Sequence, residues 1–297
     1  KGGIDVYGRG ADLILNRRRS WILLTPAVLI VCFVVVLPVL YMLWISFKPS
    51  SNHGAYGAGY TVMNYVSLVT NEFYRTVIVR TLVVGVSVSL ICLIVGYPVA
   101  FHLSRLPAKK QRLFLLLIVA PLYTSIVIRA YAWMVILGRK GIINEALTSF
   151  LPIDPIPFMN SPAGVIIGLV YVFLAFMILS IYNVLVSVPA HFEEAALNLG
   201  ASKFRTFREV TLPLSVPGIL AGCILVFVLS MGAFVIPAVL GGPKMSLVPN
   251  YIYSSVLNTF NWPLGAAFAF IFLAITGAAL YAYSWLTKTK MVVGGGA

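Results

Sequence analysis

Six long apolar stretches alternate with shorter polar stretches along the chain. About 20 predominantly apolar residues are enough for a helix to cross a bilayer, and each stretch reaches that length. The first stretch is much longer than the apolar core of a signal peptide and has no suitably placed small-residue cleavage site, so we expect it to remain as a membrane helix. The pattern therefore predicts an all-α integral membrane protein with six transmembrane helices. The predicted spans are 21–47, 77–103, 113–137, 161–188, 217–240 and 263–286.

Composition supports this membrane class. Of the 297 residues, 60% are hydrophobic and only 10% are charged, whereas soluble domains average about 25% charged residues. No soluble domain of ordinary size fits between the apolar stretches. Two small-residue patterns, Gly164-x3-Gly168 and Gly218-x3-Gly222, predict close packing between helices.

The basic residues lie beside the predicted spans rather than in one patch. A formal net charge of +13 would suggest nucleic-acid binding in a soluble protein, but in a membrane protein Lys and Arg collect on the cytoplasmic side. We therefore expect no nucleic-acid partner. Fourteen of the 21 basic residues fall on the side that holds both termini, six fall on the other side, and Arg129 lies within a span. This bias predicts a cytoplasmic N-terminal segment at 1–20, a transmembrane domain at 21–287 with a cytoplasmic loop at 189–217, and a cytoplasmic tail at 288–297.

The stretch 189–217 is the longest polar interruption in the C-terminal half of the chain. Two glutamates lie in its predicted first turn, where negative charge suits the helix dipole. Gly200 is placed to end this helix, and Ser202 is placed to cap a second helix that ends before Pro213. Apolar residues recur at helical spacing along one face of the first helix, namely Phe192, Ala195, Ala196 and Leu199.

Residues that carry metal or enzyme chemistry do not cluster in the sequence. A phosphate loop of the form Gly-x4-Gly-Lys-Ser/Thr is also missing, so we expect the chain to bind no nucleotide, cofactor or metal itself. The sequence accordingly does not predict an enzyme. The residues concerned are Cys32, Cys92 and Cys223, which lie in apolar stretches, and His53, His102 and His191, which are scattered.

The polar stretch carries a spaced motif. It resembles the EAA loop of binding-protein-dependent ABC importer permeases, whose pattern is E-A-A-x3-G-x9-I-x-L-P. The one departure is Val210, which takes the place of the usual Ile. The matching residues are Glu194, Ala195, Ala196, Gly200, Leu212 and Pro213.

The resemblance extends over about residues 20–287, and it is greatest to the spermidine/putrescine permease subfamily. It implies a type I ABC importer-like permease bundle that imports polyamines. The segments that carry it outside the loop are Asn64-Tyr65, Arg129-Ala130-Tyr131, Lys140-Gly141-x2-Asn144-Glu145 and Trp262-Pro263-x-Gly265-Ala266-Ala267.

The resemblance also implies an assembly in the bacterial inner membrane, with this chain as a multi-pass subunit. Its expected partners are a second, homologous permease that forms a heterodimer with it, two ATPase subunits that hold ATP-Mg, and a periplasmic or extracellular solute-binding protein. The loop would seat in a groove of an ATPase and pass its rigid-body movement to the spans. The residues expected to couple the chain to the ATPase are Glu193, Glu194, Ala195, Ala196, Gly200, Leu212 and Pro213.

Polar and aromatic residues within the spans are candidates for lining the substrate path. Arg129 is a clearly intramembrane charge and a functional candidate for that reason; the alternative is that it extends toward the outer surface and pairs with a carbonyl or carboxylate. For each of the others, the alternative is an interhelical hydrogen bond or a core contact. The candidates are Tyr123, Thr124, Arg129, Trp133, Tyr171, Asn183, Ser230 and Met231.

None of the eight acidic residues lies in the middle of a predicted span, although a polyamine is a polycation. Selection would then depend on aromatic faces, on the partner permease or on the binding protein. The residues alone allow another small solute equally well, such as an amino-acid derivative, a carboxylate or a phosphonate. A secondary transporter driven by an ion gradient is a further alternative, which the Gly and Pro interruptions favour and the lack of a mid-span carboxylate opposes.

Overall fold

We describe the structure from a computed structural model of the chain. It describes residues 25–26, 29–51, 54–150, 153–189, 191–242 and 245–293, with side chains up to residue 281. The predicted segment 1–20 lies outside the described residues, as do the last four residues of the predicted tail. The α-helices are α1 (Leu29–Ser46), α2 (Met63–Thr70), α3 (Glu72–Ser104), α4 (Ala108–Val119), α5 (Ile126–Ile136), α6 (Ile142–Phe150), α7 (Pro162–Ser187), α8 (His191–Asn198), α9 (Lys203–Thr206), α10 (Leu212–Met231), α11 (Val248–Tyr253) and α12 (Trp262–Val293).

Five helical stretches among the described residues are long and apolar enough to cross a membrane. They are α1, α3, α7, the continuous α9–α10 stretch and α12, and the bent pair α4–α5 supplies a sixth if it forms one span. The all-α membrane architecture predicted from the sequence is confirmed.

Helix α7 packs against α3 and against α10, which also pack against each other. In its most apolar window 56% of the residues are buried, against 11% in α1. The core around α7 includes Val88, Leu169, Met177, Ile181 and Val226, all fully buried. Because lipid tails are as apolar as these side chains, close van der Waals contact between them favours the packing inside a membrane.

Glycines allow the close contacts within this bundle. A Cβ atom on Gly218 would lie 3.0 Å from the carbonyl oxygen of Ser180, and one on Gly222 would lie 2.6 Å from Met177 Sδ. Gly168 similarly faces Leu240, whose Cδ1 would lie 2.7 Å from an added Cβ. Both Gly-x3-Gly patterns therefore contain residues at positions where a side chain would push neighbouring segments apart.

The predicted third span is not one straight helix. A 3-10 turn at Ala120–Tyr123 ends α4, and α5 starts at an angle of 94° to it. Pro121 cannot donate a backbone hydrogen bond, and the Ser125 hydroxyl accepts one from the Val127 amide at 3.3 Å, which starts a new helix. The polar residues in this span thus occupy a break in the helix.

The expected end of a helix before Pro213 is wrong, and the helix that contains the predicted fifth span begins well before residue 217. The helix continues from Lys203 to Met231, with a π-helical turn at Phe207–Thr211. In that turn the Leu212 amide donates to the carbonyl of Phe207. A wider turn at this point accommodates Pro213, which has no N–H to donate. The helix ends at Gly232, and residues Pro237–Gly241 form a separate π-helical turn.

Candidate functional site

The helix α8 ends at a glycine, as the sequence predicts. Gly200 has a φ of +83°, a left-handed conformation that residues with a side chain rarely adopt. Its amide donates to the carbonyl of Leu197 at 3.0 Å, and the Ala201 amide donates to the carbonyl of Ala196 at 3.1 Å. This pair of hydrogen bonds satisfies the last carbonyls of α8 and turns the chain toward α9.

The short helix α9 starts at Ser202, as the sequence predicts. The Ser202 hydroxyl accepts a hydrogen bond from the Arg205 amide at 3.3 Å. One turn later the Arg205 side chain pairs with Glu209 at 3.0 Å on an exposed surface. Gly200 thus ends α8, and Ser202 starts the long helix that begins at α9.

The two adjacent glutamates of α8 have different surroundings. The Glu193 carboxylate accepts hydrogen bonds from the Arg105 guanidinium and, at 2.7 Å, from the Thr211 hydroxyl. The Glu194 side chain is exposed and makes no hydrogen bond or ion pair with the described residues. Glu193 thus makes contacts within the chain, whereas Glu194 is free to contact another molecule.

Sequence reasoning missed Arg105 and Thr211. Arg105 directly follows α3 and counted only as one of several basic residues that set the topology. Thr211 lies inside the motif, at a position that the motif leaves unspecified, and it is 2% exposed. Thr211 lies 18 residues after Glu193 and Arg105 lies 88 before it, so no local sequence pattern joins them.

The surface around α8 exposes large apolar side chains. Leu199 is 89% exposed and Phe204 is 74% exposed, and the Ala195 side chain is also exposed while Ala196 is half-buried. Pro213 is exposed at the start of α10, and Leu212 beside it is half-buried. Exposed apolar side chains on an otherwise polar loop are typical of a surface that binds another protein.

A groove of about 650 Å³ lies between α8, the end of α3 and the α9 region. Most of its lining is aromatic or apolar, and the lining includes the Arg105–Glu193 pair. Its lining residues are Phe101, Arg105, Glu193, Leu197, Lys203, Phe204, Thr206, Phe207 and Thr211.

The structure brings together only part of the predicted substrate path. Trp133 on α5 contacts Tyr171 on α7 edge to face, with 5.3 Å between the ring centroids. Tyr123 and Thr124 are exposed at the break between α4 and α5. Asn183 is exposed on α7, twelve residues beyond Tyr171, which is about 18 Å along a helix.

Two other predicted path residues are occupied by contacts within the chain. The Ser230 hydroxyl donates to the carbonyl of Val226 in its own helix at 2.7 Å. Met231 is 1% exposed, and its sulfur lies near Gly85 of α3. Neither side chain is open to a solute in this conformation.

Arg129 lies one helical turn before Trp133 and is 9% exposed. Its Nε and Nη1 atoms are buried and have no hydrogen-bond partner among the described residues. The expected pairing with a carbonyl or carboxylate is therefore not seen in the described part of the chain. A buried cation without a partner is costly, so the site favours an anionic or carbonyl group from outside the chain.

A metal site is not apparent: nowhere in the described ranges do three His, Cys, Asp or Glu side chains come together.

Outside the spans, Lys48 is held by aromatic rings, with its Nζ atom 3.8 Å from the ring centroid of Tyr60 and 4.5 Å from that of Trp44. A hydrogen bond from Trp44 and the charge of Lys48 lower the pKa of Tyr60 below its usual value. This cation–π contact is a second feature that sequence reasoning missed.

Residues 22–290 match the family described as "Binding-protein-dependent transport system inner membrane component". Over 252 residues the chain is 39% identical to the spermidine/putrescine transport system permease protein PotB of Haemophilus influenzae. The matched region covers 84% of this chain and 88% of that protein. The chain is 38% identical over 250 residues to PotB of Escherichia coli strain K12, and this matched region covers 84% of this chain and 90% of that protein.

Solved structures share the fold at lower identity. A chain of a bacterial ABC transporter involved in the import of the acidic polysaccharide alginate superimposes with a TM-score of 0.75 at 18% identity, covering 94% of this chain and 99% of that one. A second structure shows the bacterial alginate ABC transporter in complex with an alginate pentasaccharide-bound periplasmic protein, with a TM-score of 0.73. The fold is thus that of an ABC transporter membrane subunit.

Proposed function

The chain belongs to the family of binding-protein-dependent transport system inner membrane components, and we propose from that membership that it imports the polyamines spermidine and putrescine across a bacterial inner membrane. The observation that carries the substrate class is the identity of 38–39% with two polyamine permeases over 84% of the chain. The chain is a transport subunit and not an enzyme, and a separate ATPase hydrolyses the ATP.

The proposed assembly contains this chain, a second homologous permease, two ATPase subunits that hold ATP-Mg, and a periplasmic solute-binding protein. The family's description supports the binding protein, and so does the alginate importer, which was solved with its periplasmic protein. The surface of α8 supports the ATPase contact, because it presents the free carboxylate of Glu194 beside exposed apolar side chains.

Aromatic faces are the proposed means of holding the polyamine within the spans. Trp133 and Tyr171 form an aromatic pair between α5 and α7, and the rings around Lys48 illustrate how aromatic faces in this chain hold an alkylammonium group. Arg129 lies one turn away and repels a cation at this pair. Passage of a polyamine there therefore requires that another group neutralise the guanidinium.

The ATPase contact is tested with Glu194→Gln and Gly200→Val in the reconstituted complex. Loss of the exposed carboxylate removes a contact to the ATPase, and valine is strained at a φ of +83°, so both variants should reduce ATP-dependent uptake at least tenfold and weaken co-purification of the ATPase. Matched controls are Glu209→Gln, which breaks an exposed pair, and Gly277→Val, where an added Cβ meets no atom within 4 Å. Uptake that persists without any ATPase would contradict the proposal and favour an ion-coupled transporter.

The substrate class is tested by uptake of labelled putrescine and spermidine into proteoliposomes that contain the whole complex. Trp133→Ala and Tyr171→Ala should raise the KM for putrescine by about tenfold, since each removes an aromatic face from the proposed cation site. Tyr131→Ala is the control, because Tyr131 is exposed on another face of α5. Transport of a carboxylate or phosphonate, with no competition by polyamines, would overturn the substrate assignment and leave the ATPase coupling intact.

A further inference from the structure

Three residues at intervals of four on α3 and just after its end face the stretch 189–217, which contains the EAA loop. Residues spaced by four lie on one face of a helix, so Tyr97, Phe101 and Arg105 form a continuous row; we name these three residues the α3 row. The Arg105 guanidinium lies 5.2 Å from the ring centroid of Phe101, which links two of its members.

Each member of the α3 row contacts the segment that contains the EAA loop. The Tyr97 hydroxyl is 3.0 Å from Ser215 Oγ in α10, and Phe101 contacts Phe207 edge to face at 5.4 Å between ring centroids. Arg105 pairs with Glu193 of α8. The row thus contacts the first turn of α10, the π-helical turn at Phe207–Thr211 and α8.

Helix α8 is joined to α9 by four residues, Leu199, Gly200, Ala201 and Ser202. Gly200 has open space around it, so packing does not fix the angle between the two helices there. Side-chain contacts must therefore define the orientation of α8. Glu193 supplies them, because it binds Arg105 of the α3 end and Thr211 of the helix that continues into α10.

The Arg105–Glu193 pair differs from an ordinary surface ion pair. The Glu193 side chain is only 20% exposed, and the same carboxylate oxygen accepts a second hydrogen bond from Thr211, a residue that is 2% exposed. The Arg205–Glu209 pair nearby has side chains that are 67% and 56% exposed, and such exposed pairs contribute little. Charge-assisted hydrogen bonds in partly buried surroundings are stronger.

We propose that Arg105 is a positioning residue that holds α8 through Glu193, and that the α3 row carries movement of α8 into α3. Glu193 is then an internal anchor, while Glu194 beside it contacts the ATPase. The inference rests on the proposed function, because the movement arises from ATP hydrolysis by a partner subunit. By this inference two helices, α10 and α3, connect the ATPase to the spans.

The test uses Arg105→Met and Glu193→Gln in the reconstituted complex with its ATPases and binding protein. Both variants should keep the ATPase bound and keep its basal hydrolysis, while solute transported per ATP hydrolysed falls about tenfold. The double variant should be no worse than either single variant, because both remove the same interaction. The swapped pair, Arg105→Glu with Glu193→Arg, should restore transport per ATP to within about threefold of the parent protein.

Matched controls separate the anchor from general charge effects. Arg112→Met removes an exposed arginine seven residues further along, and Glu209→Gln breaks the exposed pair near α8. Neither should change transport per ATP. The inference is overturned if the Arg105 and Glu193 variants behave like these controls, if their losses add in the double variant, or if Glu193→Gln releases the ATPase.

The variants at Glu194 separate this inference from the proposed function. If Glu194→Gln releases the ATPase while Arg105→Met leaves transport per ATP unchanged, only the inference that Arg105 holds α8 through Glu193 is overturned. Uptake that continues without the ATPase would overturn the proposed function itself.

Discussion

The role of Arg129 follows from its surroundings. Its side chain is buried, and two of its guanidinium nitrogen atoms have no hydrogen-bond partner among the described residues. Leaving a cation in such surroundings costs several kcal/mol unless another group pairs with it. In the proposed assembly we expect an anionic or carbonyl group from outside the chain to pair with it, and a polycationic polyamine is not that group.

Replacement of Arg129 by methionine tests this assignment. Arg129→Met should leave the Tm of the isolated chain in detergent unchanged or raise it by a few degrees, because an apolar residue of similar size removes an unpaired buried charge. Uptake by the complex should fall at least tenfold, because the group that pairs with the guanidinium then lacks its partner. Arg112→Met, an exposed arginine, should change neither quantity. A Tm decrease of several degrees for Arg129→Met would mean that the guanidinium is already paired within the chain.

At the scale of helices, close packing of α7 on α10 depends on glycine. Gly218 faces the Ser180 carbonyl and the Val184 side chain, each 3.0 Å from the position of an added Cβ. The backbone carbonyl cannot move aside as a flexible side chain can. The helix pair therefore tolerates no larger residue at this position without a shift.

Gly218→Val should separate α7 from α10 and destabilise the chain. Overpacking in a well-packed interface costs about 1–3 kcal/mol, which corresponds to a Tm decrease of roughly 5 °C for a chain of this size. Gly277→Val is the matched control, because its added side chain meets no atom within 4 Å. Thermal denaturation in detergent measures both. Equal Tm values for the two variants would show that the packing adjusts at no cost.

At the scale of the whole molecule, the charge bias predicts which end of the bundle faces the cytoplasm. The structure places the EAA loop and Arg105 together at one end, and that end carries the predicted inside charges of 105–112 and 203–208. Coupling to a cytoplasmic ATPase requires this orientation.

Cysteine labelling from one side of the membrane tests the orientation. Leu199→Cys in the EAA loop should react with an impermeant maleimide in inverted vesicles, and Phe150→Cys in α6 should react in right-side-out vesicles. The two side chains are 89% and 88% exposed, so access within the chain is equal and only sidedness differs. The parent protein measures the background labelling, because its own cysteines lie in apolar helices. Labelling of both variants from the same side would contradict the predicted topology.

The sequence alone determined the membrane class, the apolar spans, the glycine end of α8 and the spacing of the EAA motif. These features depend on local composition and on neighbours a few residues apart, so they can be inferred from one chain. It did not determine the 94° break between α4 and α5 or the continuation of the helix past Pro213, because a proline permits several local geometries and packing selects one.

The division of roles between Glu193 and Glu194 was decided only by the tertiary structure. In sequence the two residues are adjacent, identical in type and equally suited to the first turn of a helix. The difference arises because Arg105, 88 positions earlier in the chain, meets Glu193 where α3 ends beside α8. Only the packing of α3 against α10 brings those two side chains together, and a pattern of nearby residues carries no information about such a contact.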